Sequence, residues 1–235
     1  MTETRQLALP LLMPAQAQKH VTVNEALVRL DALACLTLDS RMAESPPPDP
    51  AEGAFHAVPQ GAGGAWSGQA GRLALHVNGG WLFLDPRPGW RAWIADEARP
   101  ALWDGAVWRS DVLALSPSGA ATRARIVETL LTLAPGESVE TGPLIPAGAM
   151  VIGVTGRVVS TVSGTLGGMA LGVAGAEDRY GHGLGLGAGG WIRGLSGTPV
   201  TYYAPTALRV TAEGGAFAAG SLRLCVHLWE LEPPG

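Results

Sequence analysis

Glycine and proline cut this 235-residue chain into short runs, and that punctuation limits what it can fold into. The 33 glycines and 18 prolines make up more than a fifth of the residues, so long helices have few places to form. The runs between them alternate with the two-residue period of half-buried strands. Near the C-terminus Leu222, Leu224, Val226 and Leu228 fall on one side, and Arg223, Cys225, His227 and Trp229 on the other. Val127, Thr129, Leu131 and Leu133 alternate with Glu128, Leu130 and Thr132 in the same way, as Leu208, Val210 and Ala212 do with Arg209, Thr211 and Glu213. Met150–Val162 and Gly168–Val173 are apolar runs interrupted by glycine. This spacing predicts a C-terminal β-sandwich, jelly-roll-like, over residues 126–235. No helical pattern intervenes, as a parallel α/β sheet would require.

Composition divides the rest of the chain. Residues 1–44 read as an N-terminal segment and a helix. Met1–Pro14 has no period and is expected to lie extended against a partner or another part of the protein. Thr22 and Glu25 have the spacing of a capping box, and Val23, Leu27, Leu30 and Ala34, widened by Leu33 and Leu36, describe an amphipathic helix. Such a helix is too short to stand alone. It packs either on its own domain or on the same helix of sister chains as a short coiled-coil seam. Ser45–Pro50 reads as a stiff linker. Residues 51–110 hold six of the eight tryptophans: Trp66, Trp81, Trp90, Trp93, Trp103 and Trp108. Two similar units, Leu73–Trp81 and Pro100–Trp108, run from apolar residues through Asn78-Gly79 or Asp104-Gly105 to a returning tryptophan. Both dipeptides suit type I′ hairpin turns, which predicts a small tryptophan-rich antiparallel β domain. Residues 111–125, rich in Ser, Pro, Gly and Ala, read as a linker. The expected fold class is therefore mainly β.

The balance of charge excludes some functions. A net charge of −4, with Lys19 the single lysine and the arginines scattered, leaves no basic patch for nucleic acid. No apolar run approaches the length of a membrane span, so no membrane insertion is expected. Glu3, and Pro10 within the short run Leu7–Met13, do not read as a signal peptide, which points to synthesis in the cytoplasm and release by lysis or in a particle. Cys35 and Cys225 share no metal spacing and are expected to be small buried residues. His20, His56, His76, His182 and His227 never pair at ligand spacing, and neither metal nor cofactor is expected. Catalytic signatures are missing as well. Gly185–Gly190 spells a dinucleotide-binding loop in letters, but no βαβ unit surrounds it.

One stretch gathers polar and aromatic side chains: Asp178, Arg179, Tyr180 and His182, then Trp191 and Arg193. Two readings stand open. The charges belong to a solvated glycine-rich loop, or the group forms a shallow carbohydrate site. In the second, Asp178 and the arginines supply planar hydrogen bonding while Tyr180 or Trp191 offers a ring face to the sugar. Glu177 and Asp178 are adjacent and would point to opposite faces of a strand, which disfavours the paired acids of a glycosidase. Trp90 and Trp93 flank Arg91 and could form an exposed ridge or a contact between subunits.

The stretch Leu9-Pro-Leu-Leu-Met-Pro-Ala-Gln-Ala-Gln-Lys-His-Val-Thr-Val-Asn-Glu-Ala-Leu-Val-Arg-Leu-Asp31 resembles the opening signature of the DUF2793 family. Further similarity runs through Gly64-Ala-Trp-Ser-Gly68, Gly89-Trp-Arg-Ala-Trp93 and Trp103-Asp-Gly105. Asp178-Arg-Tyr-Gly181, Tyr203-Ala-Pro205 and Val226-His-Leu-Trp-Glu-Leu231 resemble domains that follow this signature. The family occurs in phage tail fibres and in head spikes or tail fibres of gene transfer agents. The resemblance implies a non-enzymatic structural protein on the surface of a virion or phage-like particle. It also implies a homotrimer, held to other particle proteins by its N-terminal segment and meeting host capsular polysaccharide with its distal β domain. Weak glycan sites repeated on a trimer gain through multivalency. A purely structural particle component is the first alternative, and a capsule depolymerase with acids shared between subunits the second.

Overall fold

The computed structural model describes residues 2–12 and 19–235, apart from the side chains of Lys19 and His20. Met1 and residues 13–18, part of the N-terminal signature, lie outside the described residues. The chain is mainly β and splits into two compact units, Met1–Val112 and Leu113–Gly235.

The first unit contains α1 (Lys19–Ala34), β1 (Thr37–Leu38), β2 (Phe55–Ala57), β3 (Leu73–Val77), β4 (Gly80–Leu84), β5 (Arg91–Ile94), β6 (Arg99–Trp103) and β7 (Trp108–Ser110). Strands β2-β3-β4 form one antiparallel sheet. A second sheet runs β1-β5-β6-β7, and its β1 pairs parallel to β5. Phe55, Leu73, Leu75, Ile94 and Trp103 share a core with Ala32, Leu36 and Leu38. The helix and the tryptophan module therefore belong to one unit, and Ser45–Pro50 does not separate two compact bodies as expected. Trp66 is fully buried against Val58 and Ala74. Trp90 is half-buried against the main core, while Trp93 stays exposed.

The helix buries a different face from the expected one. Val28, Ala32 and Asp31 point inward, whereas Val23, Leu30 and Ala34 are exposed. The reason is Asp31. Only 3% exposed, it accepts hydrogen bonds from the Thr4 hydroxyl (2.7 Å) and from the Gln6 (3.0 Å) and Leu7 (2.7 Å) amides. Orienting Asp31 toward those donors turns Leu30 outward. Nor do Thr22 and Glu25 form a capping box: both lie inside α1, and Glu25 instead pairs with Arg29 at i,i+4. The N-terminal arm folds back on itself, through Thr4 N–H to the Leu9 carbonyl and Leu11 N–H to the Thr2 carbonyl. It packs on its own unit rather than running extended.

Of the two expected hairpin turns, one has the expected geometry. Asn78 and Gly79 both have positive φ, 51° and 75°, as a type I′ turn requires. Asp104-Gly105 instead opens a four-residue loop, where the Asp104 carboxylate accepts the Ala106 and Val107 amides.

The second unit holds β8 (Val112–Leu115), β9 (Ala121–Thr132), β10 (Ser138–Ile145), β11 (Met150–Gly164), β12 (Gly168–Val173), β13 (Ala176–Leu184), β14 (Trp191–Thr201), β15 (Thr206–Glu213) and β16 (Phe217–Glu232). Residues 111–125 are no linker, since they form β8, a turn closed by Ser116 N–H and the Ala120 carbonyl, and the start of β9. Two sheets enclose one core, ordered β10-β15-β12-β13 and β14-β11-β16-β9-β8. Counting β9 to β16 as strands one to eight, the orders read 2-7-4-5 and 6-3-8-1, the strand order of a jelly roll. The alternating residues read from sequence supply that core: Leu131, Val154, Leu208, Val210, Leu222, Leu224, Val226 and Leu228 all point inward.

Candidate functional site

The two sheets of the jelly roll differ in the faces they turn away from the core. Across the four-stranded sheet the outer face is polar. Arg209 on β15 bonds Glu140 on β10 (2.5 Å) and reaches Glu177 on β13 (3.5 Å). Glu213 on β15 accepts the Gly183 amide of β13 (2.9 Å).

The outer face of the five-stranded sheet has a polar middle flanked by exposed apolar side chains. Strand register fixes its layout, because residues paired across an antiparallel ladder point to the same side. Leu195 on β14, Gly153 on β11, His227 on β16 and Ile126 on β9 form one row. Arg193, Thr155, Cys225 and Glu128 form the next, and Trp191, Arg157, Arg223 and Leu130 the third. Beyond the first row lie Trp229 and Leu231. Trp191 and Leu195 are 72% and 74% exposed, and Ile126, Leu130, Trp229 and Leu231 are exposed as well. Strand periodicity puts them outside because the opposite phase of each strand is already spent on the core.

Polar groups organise the middle of this face. The Arg157 guanidinium lies 5.1 Å above the Trp191 ring, a cation–π contact. Thr155 and the His227 Nε2 are 2.9 Å apart, and Arg223 sits 3.5 Å from Glu128. The Cys225 thiol bonds the Glu128 carboxylate at 3.4 Å. Partial burial, then the bond and charge of Glu128, push the thiol above its ordinary range, so it stays protonated. Cys35 is exposed at the end of α1, so neither cysteine is the buried residue expected. Both are free thiols.

The sequence-derived site is divided by this architecture. Residues 176–184 and 191–201 are strands, not a long loop. Trp191 and Arg193 stand together on the apolar outer face. Asp178, Arg179 and His182 are exposed on β13, an edge strand of the other sheet. Tyr180 offers no ring to a ligand. It is 2% exposed in the core, its hydroxyl bonded to that of Tyr202 at 2.7 Å. Burial first, and then that bond, push its pKa far above the usual tyrosine range. Where β13 meets β14 the backbones approach closely, and a Cβ on Gly194 would lie 2.1 Å from the Tyr180 carbonyl oxygen. Sequence reasoning missed Ile126, Leu195 and Leu231 as surface residues. Their signal was present, since each occupies the outward phase of a strand.

In the first unit a cleft of about 230 Å³ opens beside Arg41, Met42, Gln60, Trp103, Val107 and Trp108. Arg41 is fully engaged there, by Glu97, Ser110 and the Trp108 carbonyl. Among the described residues no group of His, Cys, Asp or Glu is arranged to hold a metal ion, and no helix is long and apolar enough to cross a membrane.

Residues 23–109 match the model of a family described as "Protein of unknown function (DUF2793)". The match lies within the first unit and does not extend to the similarity read across residues 178–231. A search of curated proteins returned no match. Among solved structures, a chain from the "Cyanophage Pam1 capsid asymmetric unit" is 22% identical, with 50% of this chain and 92% of that chain covered and a TM-score of 0.36. The jelly-roll assignment rests on strand order alone.

Proposed function

We propose that this protein is a non-enzymatic structural component of a phage-like particle, which self-associates through its jelly-roll unit and meets host-surface polysaccharide. The observation that carries the reading is the apolar outer face of the five-stranded sheet. Its exposed apolar side chains, Trp191 and Leu195 on one flank and Ile126, Leu130, Trp229 and Leu231 on the other, are surface that a second molecule would cover. The family signature supports a particle location, since the resemblance it carries is to fibre and spike proteins. In the first unit, Val23 and Leu30 on the outer side of α1 are available to other particle proteins. A homotrimer is the assembly this reading expects.

Polysaccharide contact falls to the other sheet, where Asp178, Arg179 and His182 are exposed on β13. Tyr202, bonded to Tyr180 of that strand, precedes Tyr203, whose 89% exposed ring is available to stack on a sugar. The test is binding of the full chain to recipient cells with and without capsule, with mass by light scattering on the same sample. Capsule-dependent binding by a multimer supports the whole reading. A multimer that ignores capsule leaves a purely structural particle component. Release of reducing ends from capsule would overturn the non-enzymatic assignment.

A further inference from the structure

The apolar outer face has two unlike sides that match each other. On β14 the outward residues run Leu195, Arg193, Trp191. On β9, in the same rows, they run Ile126, Glu128, Leu130. Each side is thus apolar, charged, apolar, and the central charges are opposite. Arg193 is exposed and has no hydrogen bond or ion pair among the described residues. Glu128 is also exposed, with Arg223 at 3.5 Å and the Cys225 thiol bonded at 3.4 Å. Between the two sides, β11 and β16 carry Gly153 and His227, Thr155 and Cys225, and Arg157 and Arg223, a polar strip that separates the two apolar flanks.

We propose that the β14 side of one copy docks on the β9 side of a second, placing Arg193 against Glu128 with Trp191 and Leu195 packed on Leu130 and Ile126. This deepens the self-association reading above and rests on it. The contact joins two different patches of one surface, so it is heterologous, and repetition about an axis closes it into a ring such as the expected trimer. The occupant is a second copy because the complement to each side is found on the same sheet. An unrelated partner would need to match only one of them.

The experiment is light scattering of the full chain over a dilution series, for wild type, Arg193→Glu, Glu128→Arg, the double swap, and Ile126→Asp. All these positions are exposed, and thermal melts check that each variant folds. We expect a wild-type multimer, with Arg193→Glu and Glu128→Arg each raising the dissociation concentration about a hundredfold through like-charge contact. The double swap should recover to within about threefold of wild type. Ile126→Asp should dissociate without rescue by either swap. A wild-type multimer whose mass ignores Arg193→Glu and Ile126→Asp overturns this interface but leaves self-association standing. Single swaps that dissociate without mutual rescue overturn the Arg193–Glu128 pairing. A monomer at every concentration overturns both the interface and the self-association reading.

Discussion

Replacing Asp31 by asparagine tests whether one buried carboxylate holds the N-terminal arm. The side chain collects three donors, the Thr4 hydroxyl and the amides of Gln6 and Leu7, at 2.7–3.0 Å. An asparagine has a single acceptor oxygen, so at least one of these bonds is lost and an amide NH₂ is turned toward a donor. A hydrogen bond to a charged group contributes about 1.5–3 kcal/mol, and an unpaired buried donor costs about 1–3 kcal/mol. The docked arm should therefore lose about 3 kcal/mol, which is roughly two powers of ten in its population. Because Leu7 and Leu12 stay exposed, little apolar burial resists release, and the arm should open before the unit unfolds. The assay is hydrogen exchange followed by mass spectrometry over residues 2–12. Asp31→Asn should accelerate exchange at the Leu9-bonded Thr4 amide and at Gln6 and Leu7, with a smaller loss in Tm. Acid should mimic the substitution. Burial opposes the charge on Asp31, but the three hydrogen bonds outweigh it and hold the carboxyl below its ordinary range. Its contribution is then fully present above the unfolded value of about 3.9 and lost as pH falls through the lowered folded value. Arm protection in Asp31→Asn that matches wild type within about threefold would refute the assignment.

Three further perturbations probe the rest of the molecule. His56 is buried beside Trp66 and Trp81, and burial, aided by Arg5 and opposed by Asp39 and Asp96, lowers its pKa. The stability it allows is fully present above the unfolded value of about 6.5 and lost as pH falls through the lowered folded value; His56→Phe should flatten that decline in Tm. Gly194→Ala brings a Cβ against the Tyr180 carbonyl and should cost the jelly roll about 3 kcal/mol or prevent its folding, and an unchanged melt would contradict the close approach. Tyr180→Phe should cost about 1 kcal/mol through the lost Tyr202 bond and leave capsule binding intact. A folded Tyr180→Phe protein that no longer binds capsule would return this residue to the recognition surface.

The jelly roll was legible because each strand spends one phase on the core. Leu222 to Leu228 and Leu208 to Val210 fall inward as their alternation requires, and the residues between them are the ones found outside. Glycine hid the β13 strand. Gly181 and Gly183 have positive φ and shift the register against β12, so Asp178–His182 reads as a loop although Tyr180 is core. The helix misled for another reason. Apolar spacing assigns the inner face by hydrophobicity, whereas α1 is oriented by a buried carboxylate that a periodicity argument counts as polar and therefore outside. Hydrogen bonds to backbone leave no periodic trace in sequence.

That last point bears on what the family signature means. Its sequence includes Asn24 and Asp31, seven residues apart and so on one side of α1. Asp31 takes the amides of Gln6 and Leu7, while Asn24 accepts the Leu12 amide (2.8 Å) and donates to its carbonyl (3.0 Å). Both side chains bind backbone, and Asp31 adds the Thr4 hydroxyl, so the pair anchors the arm largely through its main chain. The family match over residues 23–109 falls where the chain builds scaffold, the helix and the tryptophan core.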